Sequence, residues 1–171
     1  MTRVTRLLTA SFASLVLLVT AAFAQAAETL TMKTSKGDVV IELFEDVAPG
    51  HVAQVKKLAQ SGFYDGIIFH RVIEGFMAQT GDPTGTGRGG SNEPDLNAEF
   101  SNVPFDRGVV GMARAQDPNS ANSQFFIMFD EGHFLNGQYT AFGRVVKGMD
   151  VIDQINKGEP PVSPDKIIEM R

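Results

Sequence analysis

Apolar and polar positions follow three kinds of pattern along this chain. The first is an uncharged run from Leu7 to Ala27, with an aliphatic centre at Leu15-Val16-Leu17-Leu18-Val19, behind Arg3 and Arg6. The second is alternation: Glu28–Thr34 and Asp38–Leu43 read as strands joined by a turn at Ser35-Lys36-Gly37. That pattern is imperfect, because Val39, Ile41 and Phe44 do not all share one face. The third has helical spacing. Pro49 suits a first helical turn, Val52, Val55, Leu58 and Ala59 form one stripe, and Gly62 fits the stop. Further on, short β-like runs alternate with Gly-rich turns: Ile67–Val72, Phe76–Thr80, Gly108–Ala113, Gln124–Phe129 and Thr140–Val146. A short helix over Met149–Ile155, ended by Gly158, and a last strand over Lys166–Met170 complete the pattern.

About eight short strands with two helices and no βαβ alternation predict a mainly β chain. The expected architecture is an eight-stranded antiparallel barrel rather than a doubly wound sheet. The uncharged run predicts a leader instead of a domain element. It has a positive n-region, an apolar centre, and the small-residue exits Ala22-Phe23-Ala24 and Ala24-Gln25-Ala26. At ~18 apolar residues it is borderline for spanning a bilayer, and its Ser, Thr and Ala content favours cleavage over anchoring. The expectation is a signal peptide over residues 1–26 and one domain over residues 27–171. The product is exported, periplasmic in a Gram-negative source and secreted otherwise, a monomer without stable membrane association.

Composition changes this picture in few places. Of 171 residues, 43% are apolar and 20% charged, which suits one globular domain. The formal charge of -5 gives no basic footprint for nucleic acid. There is no cysteine, so disulfides, thiol nucleophiles and thiolate metal sites are excluded. Gly85-Thr86-Gly87-Arg88-Gly89-Gly90 fits G-x-G-x-x-G literally, but no helix opens after it to hold a pyrophosphate. It reads as a flexible surface loop. His51, His70 and His133 are not at metal-ligand spacing. His51 is expected on the exposed side of the first helix, and His70 on the face opposite Arg71. The G-x-S-x-G of a hydrolase elbow is absent. Neither metal nor organic cofactor is expected.

What remains is a distributed signal. Arg71, Phe76, Met77 and Gln79 fall in one stretch, Ala113-Arg114-Ala115 in a second, Gln124-Phe125-Phe126 in a third, and Phe134-Leu135 and Tyr139 in a fourth. Any single Phe here suits an ordinary core. Arg71 with two glutamines among these aromatics does not, because buried polar groups need partners.

Phe69–Gly81, Met112-Ala113-Arg114-Ala115 and Asn119–Ile127 strongly resemble the cyclophilins, which are peptidyl-prolyl cis-trans isomerases. The similarity runs in the family's order from about Glu28 to the C-terminus. The resemblance implies an eight-stranded barrel capped by two helices, with a groove on its outer face and no cofactor. It implies Arg71, Gln79 and Phe126 as catalytic groups. Phe76, Met77, Phe126 and Leu135 match the family's proline pocket, and Gln79 and Gln124 its polar groove. Arg114 matches a position that meets substrate through its main chain. Ala113, Ala115, Phe134 and Tyr139 complete the expected substrate contacts. Phe134 stands where many eukaryotic members have Trp, and Tyr139 where many have His; the first implies weak rather than tight cyclosporin binding. Implied partners are proline-containing peptides and exported proteins that are unfolded or folding. A proline-peptide binding module or chaperone with little turnover is the alternative reading on the same fold.

Overall fold

The alternation of the first strands becomes one buried face. The computed structural model describes residues 27–171, so the expected leader over residues 1–26 lies outside the described residues. Strand β1 (Thr29–Thr34) pairs with β2 (Gly37–Leu43) as an antiparallel hairpin in which Thr34 faces Gly37. Leu30, Met32, Val39, Ile41 and Leu43 point to the core. Phe44 follows the end of β2, and its N–H donates to the Phe142 carbonyl at 2.8 Å. It lies an odd number of positions from Val39 and Ile41, so alternation alone puts it on the other face.

Helix α1 (Pro49–Gln60) buries Val52, Val55, Leu58 and Ala59. His51 is buried with them, contrary to the expectation of an exposed position. Two causes act together. Positions 51 and 55 are one helical turn apart, so the apolar stripe extends to the first turn. The helix also needs partners for its first N–H groups, and Glu99 supplies them. Its carboxylate accepts from Gly50 N and His51 N, both at 3.0 Å, and lies 2.6 Å from His51 Nδ1.

The other strands are β3 (Arg71–Ile73), β4 (Met77–Thr80), β5 (Val109–Met112), β6 (Phe125–Met128), β7 (Ala141–Lys147) and β8 (Ile167–Met170). Helix α2 (Met149–Asp153) follows β7 and is shorter than expected; Ile155 only continues it as a turn. All eight strands form one antiparallel sheet in the order β3-β4-β6-β5-β7-β2-β1-β8. The sheet curls until its edges meet at an Ile68–Lys166 bridge and a Phe69 N–H to Asp165 carbonyl bond of 2.9 Å. The expected strand over Ile67–Val72 is thus mostly a closing segment. Its backbone bonds go singly to the C-terminal stretch, and only Arg71 and Val72 of it enter the ladder.

Strand β6 shows how the fold makes two apolar sides. All four of its residues are buried. Phe125 and Ile127 join the core under both helices, with Val55, Leu58, Phe142 and Ile152. Phe126 and Met128 point the other way, into a second cluster with Met77, Phe105, Val109 and Leu135. This second cluster is the floor of the site.

Candidate active site

Cross-strand register places the candidate residues side by side. Arg71 is paired with Gln79 across β3 and β4, Gln79 with Phe126 across β4 and β6, and Phe126 with Gly111 across β6 and β5. The next row is Ile73, Met77 and Met128. Directly opposed residues sit ~4.5–5.5 Å apart at Cβ, so a polar edge and an apolar floor are adjacent by construction. Gly111 has to be glycine: a Cβ there would lie 2.6 Å from both the Phe105 and Phe126 rings. The missing side chain lets Phe105 lie under Phe126, with ring centroids 5.7 Å apart and planes 28° apart.

A cavity of about 290 Å³ opens over this floor. It is lined by Arg71, Phe76, Met77, Gln79 and Phe126 from the sheet and its turns. Ala113, Arg114, Phe134, Leu135 and Tyr139 complete it. Phe134 is 67% exposed and its ring tilts against Phe76 at 5.5 Å, which makes it a rim. Leu135 is buried beneath it in a 3-10 turn, His133–Leu135. Tyr139 meets the Phe126 ring edge-on at 5.8 Å.

Two expected residues, Ala115 and Gln124, line an adjoining cavity of about 570 Å³, which shares Gln79, Ala113 and Arg114 with the first. Gln124 is a link between them. Its Oε1 accepts from Gln79 Nε2 at 2.8 Å, and its own Nε2 donates to the Gly89 carbonyl at 2.8 Å and the Gly87 carbonyl at 3.2 Å. The Gly85–Gly90 segment, expected to be a plain surface loop, is therefore a wall of the second cavity and the anchor of the glutamine pair. Arg114 also does more than its main chain. Its guanidinium donates to the carbonyls of Ala115, Gln116 and Gln138 and stacks 4.6 Å from the Tyr139 ring centre.

Electrostatics at the site are set by a few groups. Arg71 Nε donates to Glu159 Oε2 at 2.8 Å, across an exposed ion pair. His70 is buried beside Gly87 of the glycine loop, and burial pushes its imidazole below the ordinary range. Asp82 organises the glycine loop. Burial raises its pKa, but bonds from the Thr84 hydroxyl and from the N–H groups of Thr84, Gly89 and Gly87 outweigh this and hold it at about 2. Because the folded value lies below the unfolded one, its contribution is full above about pH 4 and is lost as pH falls toward 2. By linkage this amounts to about 2 kcal/mol. Asp82→Asn is expected to flatten the acid-unfolding curve between pH 4 and 2. Superimposable curves for the two proteins would contradict that role. Among the described residues, no group of His, Asp and Glu could hold a metal ion, and no helix is long and apolar enough to cross a membrane.

Several contributors carry no signal of their own in the sequence. Phe105 supports Phe126 from below, and Asp95 lines the second cavity. Glu159, 88 residues beyond Arg71, pairs with it.

Comparison with known proteins bears on the fold and the family. Residues 29–171 match the family model described as cyclophilin type peptidyl-prolyl cis-trans isomerase. A relative from Brucella suis, named "Probable peptidyl-prolyl cis-trans isomerase", is 57% identical over 166 residues, covering 88% of this chain and 85% of its own. Peptidyl-prolyl cis-trans isomerase ppi1 of Schizosaccharomyces pombe is 39% identical over 149 residues, covering 81% of this chain and 94% of its own. Among solved structures, a cyclophilin-type peptidyl-prolyl cis-trans isomerase of Cryptosporidium parvum, crystallised in the presence of the dipeptide Ala-Pro, superposes with a TM-score of 0.78. It is 33% identical, over 84% of this chain and 97% of its own. Fold, family match and relatives agree: the chain belongs to the cyclophilin-type peptidyl-prolyl cis-trans isomerases, an enzyme family.

Proposed function

We propose that this isomerase works on exported proteins as they fold, and that Arg71 stabilises the twisted X-Pro amide. The observation that carries the mechanism is the cross-strand row Arg71–Gln79–Phe126 at one cavity. An X-Pro bond turns slowly because amide resonance must be broken, against a barrier of ~18–20 kcal/mol. No bond to substrate is formed or cleaved, so neither nucleophile nor general base is required. At the transition state the prolyl nitrogen is pyramidal and its lone pair localised. A donor aimed there binds the twisted amide more tightly than the planar one, and that difference is the catalysis. Arg71 suits this role, being always charged, planar and multidentate. Phe76, Met77, Phe126 and Leu135 grip the ring and displace water, which strengthens the interaction. A roughly 10⁵-fold acceleration needs about 7 kcal/mol. One charge-assisted hydrogen bond supplies about 1.5–3 kcal/mol, so the glutamine pair and the shape of the groove must supply the remainder.

The export part rests on the leader pattern over residues 1–26. One preparation tests both parts. Protein taken from the export fraction of its source is expected to begin near Gln25 or Ala27 and to accelerate isomerisation of a short X-Pro peptide. Full-length chain held in the membrane would defeat the export reading. Proline-peptide binding without acceleration would leave the binding module or chaperone.

A further inference from the structure

The Arg71 guanidinium has five N–H donors. Among the described residues it makes one hydrogen bond, from Nε to Glu159 Oε2 at 2.8 Å. Arg71 lines the proline cavity and Glu159 does not. With Nε held on the outside, the edge carrying the two Nη groups is the one left for the cavity. A guanidinium on a flexible stem loses up to ~2 kcal/mol of rotamer freedom when it is fixed. A partner that fixes it beforehand removes that cost from the transition state.

Glu159 is itself placed by the backbone. Gly158 and Val72, the residues before Glu159 and after Arg71, exchange two hydrogen bonds, each of 2.8 Å. This bridge sets the acid beside the base although 88 residues separate them. Gly158 has φ +146°, and a Cβ there would lie 2.6 Å from Pro161 Cα, so the following residue is delivered by a turn that only glycine allows.

We infer that Glu159 is a positioning residue for the isomerase reaction: its carboxylate holds the Arg71 Nε edge so that the Nη edge meets the prolyl nitrogen. This rests on the proposed role of Arg71. The pair is exposed, with the two side chains 41% and 53% accessible. Its contribution to stability is therefore small, and salt screens it.

The test is NMR exchange spectroscopy at saturating X-Pro peptide, which reads turnover, with a peptide titration on the same samples, which reads affinity. It is run on wild type, Glu159→Gln, Glu159→Ala and Arg71→Ala. Glu159→Ala is expected to turn over about three- to tenfold more slowly at low salt with peptide affinity unchanged. Glu159→Gln, which keeps an oxygen acceptor and guards against misfolding, falls between it and wild type. At high salt, wild type approaches Glu159→Ala. The Arg71 Nε–H resonance should move in both Glu159 variants. Wild-type turnover in Glu159→Ala beside a slowed Arg71→Ala would overturn the inference and leave the Arg71 mechanism standing. Weakened peptide binding at unchanged turnover would also overturn it, by making Glu159 a direct substrate contact. Wild-type turnover in Arg71→Ala would remove the mechanism beneath it.

Discussion

Arg71→Ala is expected to lower isomerisation of an X-Pro peptide by about 10–10²-fold, the equivalent of the charge-assisted hydrogen bond it removes from the transition state. The loss should fall on turnover, with affinity for the ground-state peptide nearly unchanged. A planar prolyl amide offers no localised lone pair, so the guanidinium gains little until the bond twists. The fold should hardly notice. The Arg71 side chain is 41% exposed and its partner Glu159 more so, and such pairs contribute only about 0.2–1 kcal/mol. Arg71→Lys should fall between the two proteins. It keeps the charge and loses the planar fork that can grip Glu159 with one edge and serve the groove with the other. Peptide isomerisation and a thermal melt on the same samples check the set. Wild-type turnover in a well-folded Arg71→Ala would transfer the chemistry to the groove alone. Loss of folding would make Arg71 a structural residue.

The parts of this site that can be read from the sequence are those carried by side chains on strands. Alternation separates Phe126 from Phe125, and the structure keeps that separation. The resemblance supplies which side-chain face holds the groove. What stays hidden depends on backbone atoms and distant partners. Gly87 and Gly89 hold Gln124 through carbonyls, which no side-chain pattern encodes, so the loop reads as plain surface. Glu159 is an exposed acid in a Pro-rich stretch, and only the Val72–Gly158 bridge brings it to Arg71. His51 reads as exposed because its partner, Glu99, comes from a segment without regular structure. Ile67–Val72 has strand-like residues, but most of its hydrogen bonds close the barrel one at a time instead of forming a ladder.

Phe125 and Phe126 are neighbours on β6 with different duties, and replacing the first should separate stability from chemistry. Phe125 is fully buried. Its ring is edge-on to Tyr64 at 5.5 Å and to Phe142 at 6.1 Å. Its strand is paired on both sides, to Thr80 and to Met112, so the backbone cannot move in to fill a void. Phe125→Ala is therefore expected to cost about 3–5 kcal/mol. For a domain of this size, that lowers the melting temperature by roughly 10 °C. Phe125→Leu keeps most of the volume and should cost less. Neither change touches the floor made by Phe126, Met77 and Leu135, which lies on the other side of the strand. Turnover per folded molecule, measured well below the transition, should stay within about twofold of wild type, since the groove's own packing is intact. Thermal melts and low-temperature isomerisation of the two variants decide it. A large fall in turnover at unchanged melting temperature would mean that the sheet does not insulate the groove from the core.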